Sequence, residues 1–97
     1  MRAIHLSDLN LAARTLMVAH SCERLKFLFS LIENANAADK YRKHTGLAHP
    51  QFGNGSLGAA CQNYPKAPMP DRCQPQYLDC LRVVIEGLLT SETDDVL

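Results

Sequence analysis

Tryptophan is absent from this 97-residue sequence, and phenylalanine and tyrosine together make up only 6% of it. The core must therefore consist mainly of leucine, isoleucine, valine and alanine side chains, a composition that suits helices. Hydrophobic residues still account for 46% of the chain and charged residues for 21%, which excludes a disordered chain and is typical of a globular protein. The length is that of one domain.

Net charge is also absent, because ten basic residues balance ten acidic ones. This balance argues against general attraction to nucleic acid or to an anionic membrane. No stretch approaches the roughly 20 apolar residues of a transmembrane helix. Near the N-terminus, Asp8, Asn10 and Arg14 interrupt the apolar segment that an export signal requires. We therefore expect a cytoplasmic protein that does not bind a membrane. The zero net charge also disfavours nucleic acid as its partner.

The four cysteines include no Cys-x-x-Cys pair, so the usual ligand spacing of a zinc site is missing. They are Cys22, Cys61, Cys73 and Cys80. We expect reduced thiols that behave as small hydrophobic side chains. Disulfides, or a zinc site completed by His44 or His49, are the alternatives. We expect no cofactor and assign no metal ligand.

Four segments show the apolar periodicity of helices, and no sustained alternating strand pattern occurs. Ser7 is placed to cap the first helix and Ser21 to cap the second. Apolar residues occupy more than one face of the first helix, which fits either packing between two neighbours or a subunit contact. The second helix is the longest, and it carries a buried-type stripe at Leu25, Leu28, Leu31, Ile32, Ala35 and Ala38.

We predict an all-α fold, a small irregular four-helix bundle with a long ordered loop between helices 2 and 3. The predicted helices are 8–19, 22–44, 56–63 and 75–89. Residues 1–90 form a single helical domain in this interpretation, and residues 91–97 form a frayed acidic tail. A proline-rich connector joins the third helix to the last, where Gly87 requires a close helix crossing.

The most distinctive stretch is 39–58, which holds four of the five glycines and the densest positive charge. Gly46 can end the second helix in the left-handed conformation. Gly53 and Gly55 can adopt positive φ without strain, and Ser56 can cap the third helix. Because amides at a helix start attract anions, this turn is a candidate anion site. The alternative is that the glycines only make a turn and Ser56 only caps it.

The candidate ligand-binding residues combine the basic end of the second helix with this turn. They are Tyr41, Arg42, Lys43, His44, His49, Gly53, Asn54, Gly55 and Ser56. His44 and His49 lack an evident third metal ligand. A catalytic pair such as Cys61 and His49 lacks a nucleophile motif, and the chain is short for a substrate pocket. We therefore assign no catalytic residue and favour a protein that is not an enzyme.

Three motifs carry a resemblance to a known group of proteins. They are Ala38-Asp39-Lys40-Tyr41-Arg42 at the helix end, Gly46-Leu47-Ala48-His49-Pro50 in the loop and Gly53-Asn54-Gly55-Ser56-Leu57 at the turn. With Tyr77 and the Cys80-Leu81 pair, they resemble a family of small, uncharacterised alphaproteobacterial proteins over nearly the whole chain. Phe52 stands where that pattern has tryptophan. The resemblance implies a compact helical protein of the bacterial cytoplasm without an established activity.

The sequence thus favours a small, non-enzymatic interaction protein that self-associates, as a homodimer, through its first or second helix. A further protein partner is possible. The alternative is a module that uses residues 41–56 to bind an anion, a small ligand or nucleic acid.

Overall fold

The computed structural model describes residues 1–69 and 74–96, with side chains described as far as residue 90. The described residues form four α-helices and one 3₁₀ turn, which confirms the predicted all-α class. They are α1 (Leu6–Val18), the 3₁₀ turn Ser21–Glu23, α2 (Arg24–Thr45), α3 (Leu57–Ala60) and α4 (Pro75–Val96). Over the described ranges no β-strand forms, and the only β-type pairing is an isolated bridge between His49 and Gly53.

Asp8, rather than Ser7, organises the start of α1. The helix begins at Leu6, its N-cap is His5, and Asp8 Oδ2 accepts the His5 amide at 2.9 Å. The predicted Ser7 cap is therefore wrong, because a carboxylate in the first turn reaches back to the free amide instead. α1 packs against both α3 and α4, which accounts for apolar residues on more than one of its faces.

α2 begins at Arg24 because the residues before it form a separate 3₁₀ turn, in which the Glu23 amide donates to His20 O at 2.9 Å. Ser21 lies in that turn, so its predicted role as the α2 cap is wrong. Gly46 ends α2 with a φ of 76°, which confirms the predicted left-handed cap. The predicted stripe is buried except for Leu25, which is 49% exposed.

The core joins α1, α2, α3 and α4 through aliphatic and thiol side chains, as the lack of tryptophan predicts. Its buried members are Ala12, Ala13, Leu16, Leu28, Leu31, Ile32, Leu57, Cys61, Cys80 and Val84. Cys61 and Cys80 are free and fully buried, and this burial raises the pKa of each thiol. Cys22 is free but exposed, so it does not serve as a core side chain. Cys73 lies outside the described residues.

The last two helices differ in length from the prediction. α3 is a single turn, Leu57–Ala60, and α4 continues past the predicted end at residue 89 to Val96. The division into a domain of residues 1–90 and a frayed tail stays a prediction. A Cβ atom on Gly87 would overlap the Leu28 side chain, so α4 crosses α2 closely at this glycine, as predicted. Across the described residues, no helix combines the length and apolar character that a bilayer span requires.

Candidate functional site

The loop between α2 and α3 is held by its own hydrogen bonds. His49 and Gly53 exchange backbone hydrogen bonds of 2.7 and 3.0 Å. His49 Nδ1 accepts the amides of Gln51 at 3.0 Å and Phe52 at 3.2 Å. Asn63 Nδ2 donates to Gln51 O at 2.7 Å, which ties the loop to the segment after α3. The loop is therefore ordered, as predicted.

Aromatic contacts fix the His49 ring. It stacks on Phe52 with a centroid distance of 4.7 Å and meets Tyr41 edge-on at 5.1 Å. This packing, together with the two accepted amides, makes His49 a structural element of the loop. His44 is exposed on the last turn of α2. In the part of the chain that the structure describes, no group of three or more His, Cys, Asp or Glu side chains is arranged to hold a metal ion.

Two glycines bring the loop onto its neighbours. Gly53 and Gly55 have φ values of 84° and 95°, which confirms the predicted positive φ. A Cβ atom on Gly55 would lie 2.8 Å from Asp39 Cβ and 2.9 Å from Asp39 Cα. The loop backbone therefore touches the α2 backbone directly, and only glycine permits this approach.

Asp39 is the buried charge at this contact, with 5% of its surface exposed. Arg42 Nη2 lies 3.0 Å from Asp39 Oδ1, while Lys43 Nζ and the Met1 ammonium each lie 3.3 Å from Oδ2. The Arg42 guanidinium, helped by the other two cations, lowers the pKa of Asp39 to about 2. The four-residue spacing of Asp39 and Lys43 on α2 indicates their ion pair from the sequence alone. The burial and the N-terminal contact arise from tertiary structure.

A second buried carboxylate, Asp8 of α1, lies at the start of α3. Ser56 caps this helix, since its Oγ accepts the Ala59 amide at 3.1 Å, as predicted. Asp8 Oδ1 accepts the Gly58 amide at 3.0 Å, and Asn54 Oδ1 accepts the Ser56 amide at 3.1 Å. The Asp8 carboxylate thus binds at the start of α3, the place where the sequence suggests a site for an external anion.

An open cleft of about 250 Å³ lies beside this turn. Its lining residues are Arg2, Ala3, His5, Asp8, Asn54 and Ser56. The Arg2 amide donates to Gly55 O at 2.8 Å, which fixes the N-terminal segment as one wall. Of the predicted ligand-binding residues, Asn54 and Ser56 line the cleft. Arg2 and His5 were missed because the segment before α1 carries no sequence motif.

The remaining predicted residues lie in other places. Arg42 and Lys43 contact Asp39, Tyr41 packs on His49, and Gly53 packs against Ala59 of α3. The nine predicted residues therefore do not form one continuous site. Apart from His44, which is exposed at the end of α2, they divide between the Asp39 contacts, the His49 ring packing and the cleft.

A protein family described as a domain of unknown function (DUF7742) matches residues 2–88. The chain belongs to this family. The match confirms the resemblance to an uncharacterised domain family, while the bacterial origin stays a prediction. The DUF7742 match includes the whole cleft, both buried carboxylates and α4 through Leu88. Searches of curated proteins and of solved structures each gave no match.

Proposed function

We propose that this DUF7742 family member is a non-enzymatic, cytoplasmic interaction protein that forms a homodimer through α4. The proposal rests on an exposed apolar stripe on α4, formed by Leu78, Ile85 and Leu89. These side chains are 50%, 42% and 60% exposed. Their spacing of seven and four residues places them on one side of the helix. Exposed apolar side chains that share one face of a helix form a surface that a partner helix can cover.

The charges beside the α4 stripe favour a second copy of the chain as its partner. Arg82 contacts Asp79 at 2.7 Å and Glu86 at 3.3 Å, so both signs of charge alternate along this part of the helix. A two-fold contact pairs the same surface with itself. With antiparallel helices centred near residue 84, Arg82 lies opposite Glu86 of the partner subunit, and the reciprocal pair forms by symmetry.

The apolar side chains match in the same arrangement. Leu78 lies about six residues before the centre and Leu89 about five after it, so Leu78 of one copy lies level with the partner's Leu89. Ile85, close to the centre, lies beside the partner's Ile85. The α4 stripe is therefore self-complementary in both charge and apolar contact.

The first two helices offer less apolar surface for this contact. On α1 the exposed large apolar residues are Leu6 and Val18, which lie at opposite ends of the helix, about 18 Å apart. On α2 the exposed large apolar residue is Leu25. We therefore move the proposed contact from the first or second helix to α4.

Sedimentation velocity of the full chain tests this proposal. We expect a dimer for the wild type and a monomer for Ile85→Glu, because a buried, unpaired carboxylate opposes the contact. Leu47→Glu is the matched control, since Leu47 is 65% exposed in the loop and should leave the dimer intact. Circular dichroism verifies that each variant is folded. A monomeric wild type, or a dimer that survives both Ile85→Glu and Leu78→Glu, contradicts the proposal.

Binding of an anion, a small ligand or nucleic acid through residues 41–56 has less support. Arg42 and Lys43 are engaged with Asp39, and His49 Nδ1 accepts two loop amides. The basic groups that such a module needs are thus used within the chain. Of the proposed set, Asn54 and Ser56 face an open cleft.

A further inference from the structure

We infer that the cleft between the N-terminal segment and the Gly53–Ser56 turn binds a small anion through a phosphate or carboxylate group. The cleft is formed by residues before and at the start of α1 and by the turn before α3. None of the residues of the α4 stripe lines it, so this inference is independent of the proposed dimer.

Four of the six residues that line the cleft carry side-chain hydrogen-bond donors. The Arg2 guanidinium offers five N–H groups in a planar fork that suits carboxylate and phosphate oxygens. Within residues 1–69 and 74–96, its guanidinium makes no hydrogen bond or ion pair, and Arg2 is exposed at the cleft. His5 adds an imidazole N–H, which is present in both its neutral and its charged form.

The turn contributes two further donors because their acceptor atoms are already used. Ser56 Oγ accepts the Ala59 amide at 3.1 Å, which leaves the hydroxyl hydrogen to donate elsewhere. Asn54 Oδ1 accepts the Ser56 amide at 3.1 Å, which leaves the Nδ2 hydrogens to donate. Arg2, His5, Asn54 and Ser56 thus offer donors from two different segments of the chain.

Asp8 is the one acid in this lining, and its oxygens are already engaged. Oδ2 accepts the His5 amide at 2.9 Å and Oδ1 accepts the Gly58 amide at 3.0 Å. With 6% of its surface exposed, Asp8 presents little to the cleft. A cation would therefore meet few free acceptors, whereas an anion meets several free donors.

Hydrogen bonds within the chain fix the walls of the cleft. The Arg2 amide holds Gly55 O at 2.8 Å, and Asp8 holds the amide of His5. Such preorganisation reduces the entropy lost on binding. The volume of about 250 Å³ is slightly below the roughly 300–1,000 Å³ of pockets for drug-sized ligands. The cleft is therefore suited to a compact anion, about the size of one phosphate or a short dicarboxylate.

An NMR titration of the full, ¹⁵N-labelled chain tests the inference. Sodium phosphate and sodium malonate are added in separate series, with sodium chloride at matched ionic strength as the reference. We expect saturating shifts of the amides of Arg2, His5 and Ser56 with one or both anions and not with chloride. The stronger of the two series identifies phosphate or carboxylate as the group that the cleft recognises.

Variants then assign the binding to the cleft. Arg2→Gln should weaken binding about tenfold or more, since it removes a charged donor fork. Lys26→Gln, at an exposed cation on α2, is the matched control and should leave the affinity unchanged. If Arg2→Gln disturbs the fold, His5→Gln replaces it, with a smaller expected loss. Shifts that chloride reproduces, or an affinity that neither cleft variant changes, overturn the inference.

Discussion

Asp8 and Asp39 are the two buried carboxylates among the described side chains, and they hold the Gly53–Gly58 turn from two sides. Asp8 is satisfied by neutral partners, the amides of His5 and Gly58. Asp39 is satisfied by three cations, Arg42, the Met1 ammonium and Lys43, and touches the turn at Gly55. The same chemical group therefore fixes one turn by two different physical means.

The difference lies in what happens to the partners when the carboxylate is removed. The Gly58 amide is buried, so without Asp8 it loses its hydrogen-bond acceptor. An unsatisfied buried amide lowers the free energy of unfolding by about 1–3 kcal/mol. The Arg42 and Lys43 side chains are 37% and 69% exposed, so without Asp39 both can turn toward water. The Met1 ammonium keeps its hydrogen bond to Asn36 Oδ1 at 2.8 Å. Exposed cations lose little when an ion pair breaks. We conclude that the carboxylate with neutral partners contributes more to stability.

The largest expected effect comes from forcing the turn away from Asp39. Gly55→Ala places a Cβ atom 2.8–2.9 Å from Cβ and Cα of Asp39 and requires an alanine at a φ of 95°. Because the α2 backbone cannot move aside, we expect a loss of about 3 kcal/mol or more in the free energy of unfolding. Urea unfolding followed by circular dichroism measures this loss.

Two other glycines serve as controls for this prediction. At Gly46 the φ is 76° but a Cβ atom would meet nothing within 4 Å, so Gly46→Ala should cost only about 1 kcal/mol. At Gly58 a Cβ atom would lie 2.6 Å from Asp8 Oδ1, the tip of a side chain, so Gly58→Ala should fall between the two. Equal losses at Gly46 and Gly55 would show that the contact with Asp39 contributes nothing beyond backbone strain.

Replacing each carboxylate by its amide tests the comparison directly. Asp8→Asn retains one acceptor oxygen but turns a donor toward the second backbone amide, so we expect a loss of about 2 kcal/mol or more. Asp39→Asn should cost up to about 2 kcal/mol, because a pKa lowered from 3.8 to about 2 corresponds to roughly that stabilisation of the ionised form, while the freed Arg42 and Lys43 side chains reach solvent. Urea unfolding of both variants near neutral pH gives the two values. The comparison fails if Asp39→Asn proves the more damaging change.

Sequence reasoning identified the parts of this region that depend on local chemistry. Gly46 as a left-handed cap, Gly55 at positive φ and Ser56 as a cap each follow from the residue and its nearest neighbours. Asp8 and Gly58 are 50 residues apart, so no local pattern indicates that the carboxylate caps α3. The sequence does not show whether Ser7 or Asp8 accepts the free amide at the start of α1, because both side chains can accept it. The tertiary contact of Asp8 with Gly58 determines the outcome.

The same limit applies to the candidate site. The turn residues Asn54 and Ser56 were predicted from their position before a helix, and both line the cleft. Arg2 reaches the cleft only because its amide pairs with Gly55 O, a contact between residues far apart in the chain. The sequence suggests Arg42 as a site residue because of its charge, but Asp39 lies one turn away on the same helix and forms an ion pair with it. Because the buried Asp39 carboxylate binds Arg42, Arg2 is the arginine that remains available to the cleft.

The smallest expected effect is the pH dependence of the Asp39 contribution. The Arg42 guanidinium lowers the pKa of Asp39 in the folded protein from 3.8 to about 2, so the unfolded chain takes up the proton first on acidification. The contribution of Asp39 is therefore complete above about pH 4 and is lost as the pH falls to about 2. The gap in unfolding free energy between the wild type and Asp39→Asn should shrink over this range. Glu33→Gln, at an exposed carboxylate on α2, is the control and should show a small gap at every pH. A gap for Asp39→Asn that stays constant down to about pH 2 would mean that the cations do not stabilise the ionised form of Asp39, and the contrast with Asp8 would then rest on burial alone.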